Sequence, residues 1–198
     1  MNNKPVYGFY SHYQNVRDAA WKTLIDFNIT SLPVSLSVIC NRLNISILEN
    51  SSVHELRPTE NGIAVRQNGK WYIIFDDTDV RGKQRFTVAH ELGHILLGHA
   101  LKYGFYTRKS NIVKPTDETD ADMFAAHLLA PACVLWAINA VTADQIASVC
   151  DISYSAAVYR AERMNLLNKR RKFLASPLER QVYQQFQTYI QKQIEVIQ

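Results

Sequence analysis

The sequence predicts an α+β fold that is mostly helical, with a small antiparallel β-hairpin and a helical C-terminal extension. Three features support this prediction. Apolar residues recur at helical spacing over much of the 198 residues. A hairpin signal lies between Gly62 and Phe75, and capping patterns open separate helices in the last third of the chain. A hydrophobic content of 47% is enough for a buried core.

The N-terminal part is predicted to contain two helices and a strand. Tyr13 to Phe27 and Val34 to Leu43 have apolar residues at helical spacing, and they are separated by a linker that ends at Pro33. Asn44 to Leu48 is short and β-branched, which indicates a strand. The polar stretch from Ser51 to Asn61 is predicted to be a loop.

The hairpin is the clearest local signal. Asn68-Gly69 separates two β-rich segments and favours a type I′ turn. The second segment is apolar on both faces, so we expect cover on both sides; one face carries Trp71, Ile73 and Phe75, and the other carries Tyr72 and Ile74. The acidic stretch from Asp76 to Asp79 is interpreted as a loop that leads into a capped helix.

The central stretch is RFTVAHELGHILLGH, from Arg85 to His99, which contains the motif H-E-x-x-H. On a helix, His90 and His94 lie about 40° apart around the axis and one turn apart along it, so both imidazoles can reach one metal ion. Glu91 lies beside them, where it can act on water. Zinc peptidases arrange two ligands and a general base in this way.

The alternative interpretation of this motif is a solvated polar face. The surrounding residues are strongly apolar, however, and a buried set of two histidines and a glutamate without partners would cost several kcal/mol. A bound metal with a third ligand removes that cost. We therefore predict a metal site rather than a surface cluster.

A third ligand is expected from the segment Glu118 to Pro131, whose apolar residues have helical spacing. Glu118 and Asp122 are four residues apart and share one face. Glu118 can complete the ligand set, and Asp122 can hold an imidazole N–H as an outer partner. Asp120 is the alternative third ligand. These three acids, together with Asp117, could also simply favour the positive end of a helix.

Other polar residues near the motif have less specific roles. His99 would lie about 140° from His94 around a helix, so a structural or helix-end role is favoured over metal ligation. His127 falls on the opposite helix face from Glu118 and is not counted as a ligand. An oxyanion donor is expected for peptide hydrolysis, and the candidates are Tyr103, Tyr106 and His99.

The C-terminal region has three helix signals. Thr142 to Gln145 is a capping box that opens a helix to Cys150, and Ser153 can cap a helix from Tyr154 to Leu167. This pair has helix-turn-helix spacing and is followed by a basic segment, which raises DNA binding as an alternative. The second helix is not strongly basic, so direct nucleic-acid binding is not favoured. Ser176-Pro177 is predicted to open one long final helix.

Composition favours a cytoplasmic protein. The net charge is +4, which does not by itself indicate a nucleic-acid or membrane partner. The first residues lack an apolar segment typical of a signal peptide, and no apolar stretch approaches the roughly 20 residues that span a bilayer. Cys40, Cys133 and Cys150 are odd in number and far apart, so they are predicted to be reduced core residues.

Two motifs together resemble the ImmA/IrrE family of bacterial and phage zinc metallopeptidases. RFTVAHELGHILLGH and ETDADMFAAHLLAP match the family's metal helix and its second, acidic helix. The resemblance implies a zincin-like fold and one zinc ion per chain, with His90, His94 and Glu118 as ligands and Glu91 as the base. It favours Glu118 over Asp120. Ala130 departs from the methionine common in the family, which should alter packing and not chemistry.

We accordingly assign residues 1–131 to a zincin-like metallopeptidase core and 132–198 to a helical region packed on that core. The resemblance implies limited proteolysis of a helix-turn-helix repressor of a phage, mobile element or toxin–antitoxin-like system, an anti-repressor activity. The substrate is expected to lie extended beside a strand of the hairpin. The alternative is a non-proteolytic regulator that binds protein or DNA. The oligomeric state is left open.

Overall fold

A computed structural model describes residues 15–99 and 115–197 of the chain. The helices, in chain order, are α1 (Val16–Asp26), α2 (Leu36–Arg42), α3 (Asn50–Val53), α4 (Arg81–Leu96), α5 (Pro115–Leu129), α6 (Ala132–Ala137), α7 (Ala143–Cys150), α8 (Tyr154–Lys169), α9 (Pro177–Gln185) and α10 (Gln187–Ile197). The strands are β1 (Ile45–Glu49), β2 (Gly62–Gln67) and β3 (Lys70–Phe75). The predicted mostly helical α+β fold is confirmed.

The three strands form one mixed sheet in the order β1-β3-β2. β2 and β3 are the predicted antiparallel hairpin, and Asn68 and Gly69 both have positive φ, as a type I′ turn requires. β1 joins parallel to β3, with Ile45 opposite Trp71, so the sheet is not purely antiparallel. The connection from β1 to β3 runs through α3 and the edge strand β2.

The sheet packs one face against the helices. Ala64, Trp71 and Ile73 belong to the main core. On the second face Ile74 is buried but Tyr72 is only partly buried, so the expected cover on both sides is incomplete.

The centre of the fold is the contact between α4 and α5. The fully buried side chains Leu92, Ile95 and Leu96 of α4 meet a core to which α5 contributes Phe124 and Leu128. Burial of such side chains stabilises the fold by about 1.5–3 kcal/mol each. The candidate site residues of both helices are thereby held on packed elements.

Several element boundaries differ from the sequence predictions. α2 begins at Leu36 and not Val34, because Ser35 accepts a hydrogen bond from the Val38 N–H and caps the helix. The predicted loop from Ser51 contains the short helix α3, where the Ser51 N–H donates to Asp77. The predicted side-chain cap of α4 was wrong: Val80 is the N-cap and has no side-chain bond, while Asp79 pairs with Lys83.

Hydrogen bonds from side chains to backbone carbonyls join the C-terminal helices to the rest of the fold. Arg160 of α8 donates to the Ala130 carbonyl, and Gln185 donates to the carbonyls of Leu24 (2.8 Å) and Ile29 (2.7 Å). The predicted single final helix is instead two helices, α9 and α10, which meet at Phe186. The residue before this break is Gln185, whose side chain bonds to the backbone at the end of α1 and just after it. The division at residue 131 stays a prediction.

Two of the C-terminal helices begin at capping residues that the sequence predicts. Thr142 forms the predicted capping box with Gln145, and Ser153 caps α8. All three cysteines are free and buried, as predicted. In the part of the chain that the structure describes, no helix has the length and apolarity needed to span a bilayer.

Candidate metal centre

The two histidines of the H-E-x-x-H motif lie on the same side of α4. The Nε2 atoms of His90 and His94 are 3.0 Å apart. Gly93 lies between them in sequence and faces α5: a Cβ added there would be 3.1 Å from a ring carbon of Phe124 and 3.4 Å from the Ala121 Cα. The absence of a side chain at Gly93 therefore lets α5 approach the metal helix closely.

This approach brings Glu118 to both histidines. Its Oε2 lies 3.4 Å from Nε2 of His90, and its Oε1 lies 3.4 Å from Nε2 of His94. The three side chains form a cluster whose ligand atoms could hold one metal ion. The carboxylate faces the histidines from α5, as the spacing of the second motif suggests.

The geometry of this cluster fits zinc. Ligand atoms about 2.0–2.1 Å from a tetrahedral zinc are separated from one another by about 3.3 Å. The three observed separations, of 3.0, 3.4 and 3.4 Å, lie close to that value. Because the Nδ1 atoms of His90 and His94 contact other side chains, their Nε2 lone pairs can point at each other, and a cation between them removes the repulsion.

Each imidazole has an outer partner. Nδ1 of His90 lies 2.8 Å from Oδ1 of Asp122, the residue predicted for this role. Nδ1 of His94 lies 3.2 Å from Nδ1 of His99. Nε2 of His99 in turn lies 3.8 Å from Asp117. One histidine is therefore held by an exposed carboxylate and the other by a buried imidazole.

Electrostatics keep His94 neutral. Burial, followed by the neighbouring imidazoles of His90 and His99, lowers the pKa of His94 to about 3. At neutral pH the ring therefore carries a lone pair, which metal ligation requires.

Glu91 occupies a different environment from Glu118. It is partly buried beside the start of β2, where the backbone of Ala64 approaches its carboxylate. A Cβ on Gly62 would lie 3.6 Å from the Glu91 Cγ. Burial raises the pKa of Glu91 to about 7, which is the range that suits a general base.

The other candidate residues are placed apart from this cluster. Asp120 groups with His99 and Asp117 rather than with His90 and His94. His99 faces His94 and Asp117 with its two ring nitrogens, which argues against its role as an oxyanion donor. Tyr103 and Tyr106 lie outside the described residues. His127 is partly buried in α5, away from the histidine pair.

Sequence reasoning missed two contributors. Asp117 was considered only as a helix-end acid, yet it is 5% exposed and faces His99. Arg85, in the same motif as the ligands, ties α4 to its neighbours: it donates to the carbonyls of Asp151 (2.9 Å) and Val34 (2.9 Å). The available signal for Arg85 was a cation directly before the apolar part of α4, which begins at Phe86.

An apolar groove reaches the outer partner of His90. Its walls come from α4, α5 and α8, and its lining includes Asp122, which contacts His90. Tyr159 is 75% exposed and Met123 is 41% exposed. Large apolar side chains left open next to a candidate metal site are suited to binding apolar parts of a substrate.

The family match covers the same region as this geometry. The Peptidase_M78 model, described as IrrE N-terminal-like domain, matches residues 40–162, which is more than half of the chain. A search of curated proteins found no match. The matched segment includes β1, the hairpin, the two site helices and most of α8. Both sequence motifs and the family match thus agree, and the chain belongs to the ImmA/IrrE family of metallopeptidases.

Proposed function

We propose that this protein is a zinc-dependent endopeptidase that cuts a regulatory protein at a limited number of sites. The observation that carries the proposal is the convergence of His90, His94 and Glu118 on one point, with Glu91 beside it. A protein that only binds a partner has no need of a carboxylate base next to a metal site.

The chain's residues divide the chemistry between them. His90, His94 and Glu118 would hold one zinc ion, which supplies Lewis-acid chemistry by polarising a carbonyl and acidifying water. Glu91 takes a proton from the attacking water and delivers it to the leaving amine. Asp122 keeps the His90 ring in the tautomer whose Nε2 lone pair is available.

The position of β2 supports an extended substrate. β2 is an edge strand in the described sheet, and the backbone of Ala64 within it reaches Glu91. A peptide added along this edge would pair with the β2 backbone and pass the base. The nearby apolar groove would receive its apolar side chains.

The substrate we propose is a helix-turn-helix repressor of a phage, mobile element or toxin–antitoxin-like system, with both proteins in the cytoplasm. The family resemblance motivates this choice. Cleavage would remove the repressor and switch genes on. Direct DNA binding by the α7–α8 pair is not favoured, because one of the few cations of α8, Arg160, is 6% exposed and donates to the Ala130 carbonyl within the fold.

The ligand set is tested by zinc content. Wild type is expected to hold one zinc per chain, and Glu118→Gln and Glu118→Ala are expected to lose it. Asp120→Ala is the matched control on the same helix and is expected to keep zinc. Loss of zinc with Asp120→Ala and retention with both Glu118 variants would reverse the ligand assignment.

The activity is tested with Glu91→Gln as a trap. This variant should bind zinc and capture its substrate uncut, whereas wild type releases fragments. Mass spectrometry of captured proteins and of cleavage products in matched wild-type cells would identify the target. Stable capture without cleavage by wild type would favour the non-proteolytic alternative.

A further inference from the structure

We propose that His99 is a positioning residue for the metal site: it accepts the Nδ1–H of His94, and Asp117 orients His99 from its other side. This inference rests on the proposed zinc site. It assigns to His99 a role different from metal ligation, oxyanion binding or a helix end.

The contact geometry supports the first link. Nδ1 of His94 and Nδ1 of His99 are 3.2 Å apart, within hydrogen-bond range. The two rings meet nearly edge to face, at 68° and with centroids 5.3 Å apart. Rings inclined at this angle can still bring an N–H of one ring to the in-plane lone pair of the other, as the 3.2 Å separation of the two Nδ1 atoms requires.

The second link is longer. Nε2 of His99 lies 3.8 Å from Oδ1 of Asp117, which suits a charge contact or one bridged by water rather than a direct hydrogen bond. Both residues are nearly enclosed, at 4% and 5% exposure. A buried carboxylate and imidazole are costly unless they satisfy each other or other polar groups.

Zinc ligation would determine which ring nitrogen of His94 and of His99 carries the proton. Zinc ligation through Nε2 leaves the neutral His94 ring with its proton on Nδ1. That N–H can donate only if Nδ1 of His99 carries a lone pair, which puts the His99 proton on Nε2, facing Asp117. The His94 donor thus meets an acceptor, and the Nε2–H of His99 faces the Asp117 carboxylate at 3.8 Å.

The arrangement also explains an asymmetry of the site. His90 is oriented by Asp122, whose side chain is 60% exposed, so water can compete for that bond. His94 is oriented from within the core. We infer that the buried series fixes the position of His94 more strongly.

The test compares two substitutions at one position. Asn can place an acceptor oxygen near the site of Nδ1, whereas Leu has similar bulk and no acceptor. His99→Leu is expected to raise the zinc dissociation constant by about 10–100-fold, and His99→Asn is expected to recover most of that loss. Competition with a chromophoric chelator measures both, and thermal unfolding of chelator-treated protein reports structural damage separately.

Asp117 is tested through His99. Asp117→Ala should weaken zinc binding when His99 is present but should add little to the loss in His99→Leu. In that variant, Asp117 no longer contacts a residue that positions His94. Equal and additive losses in the two backgrounds would show that Asp117 acts independently and would overturn this link.

Three outcomes separate this inference from the proposed function. Wild type without zinc overturns both. If wild type binds zinc, two results overturn only the role of His99. One is a zinc dissociation constant that does not change in His99→Leu, and the other is an equal loss of zinc affinity in His99→Leu and His99→Asn. If neither variant folds, nitrogen NMR of the zinc-bound wild type decides, since a His99 ring that carries its proton on Nδ1 contradicts the proposal and leaves the zinc site standing.

Discussion

Asp122 and His90 form the shortest outer contact of the candidate metal site among the described residues, with Oδ1 of the carboxylate 2.8 Å from Nδ1 of the ring. Asp122 lies one turn beyond Glu118 on α5, so one helix face carries both a proposed ligand and a residue that orients a second ligand. Any shift of α5 against α4 would disturb both bonds together.

Replacing Asp122 by Ala should weaken zinc binding by about 10–100-fold, because the His90 ring loses the acceptor that holds its Nδ1–H. Asp122→Asn should be milder, since its amide oxygen can still accept. A chelator competition assay measures this. Asp144→Ala, on α7, is the control. An equal loss of zinc affinity in that variant would mean that the effect of Asp122→Ala does not come from its contact with His90.

Glu91 should make the stability of chelator-treated protein depend on pH. Burial raises its pKa from the ordinary 4.5 to about 7, so the folded state binds more protons than the unfolded state between these values. Glu91 therefore destabilises the fold increasingly as pH rises from about 4.5 to 7, by at most about 3 kcal/mol.

The Glu91→Gln variant lacks this titration. Its advantage in unfolding free energy over wild type should grow from pH 5 to pH 7.5 and then level off. Urea unfolding of chelator-treated protein at several pH values measures the difference. A constant difference across this range would contradict the raised pKa.

Gly82 should be intolerant of a side chain. A Cβ there would lie 2.4 Å from the Ser153 backbone nitrogen and 2.7 Å from the Ile152 carbonyl carbon, so α4 and the turn before α8 would have to separate. Gly82→Ala should destabilise the protein by about 1–3 kcal/mol. Gly69→Ala is the comparison, since that site has open space and costs only backbone strain at φ +80°.

Thermal and urea unfolding of both glycine variants would check this order. A Gly82→Ala protein as stable as wild type would show that the contact between α4 and the turn at Ser153 is loose.

Arg85 should be needed for stability rather than for zinc chemistry. Its side chain is 15% exposed and bonds to carbonyls before α2 and at the end of α7, which joins three parts of the fold. Arg85→Met leaves those carbonyls without their donor and should cost about 2–4 kcal/mol. Arg85→Lys should recover only part, because one ammonium cannot reach the same set of acceptors.

Zinc stoichiometry of the Arg85 variants, measured below their unfolding temperature, should stay at the wild-type value. Loss of zinc from folded Arg85→Met would instead indicate that Arg85 positions the ligand helix.

Much of the candidate site was predictable because its motifs relate residues that are only a few positions apart in the sequence. The spacing of His90 and His94, and that of Glu118 and Asp122, each describe one helix face, and a helix fixes such relations within a single turn. The hairpin turn at Asn68-Gly69 and the caps at Thr142 and Ser153 are local for the same reason. Boundaries such as the start of α2 were less accurate, since a single cap decides them.

The sequence by itself determined which side chains share a helix face, where the hairpin turns, and which motifs indicate a metal and a base. Only the tertiary structure decided that β1 pairs parallel with β3, that Asp120 lies away from His90 and His94, and that His99 and Asp117 lie behind His94. The physical reason is that these relations join separate elements. They depend on how α4, α5 and the sheet pack together, and no spacing within one element specifies that packing.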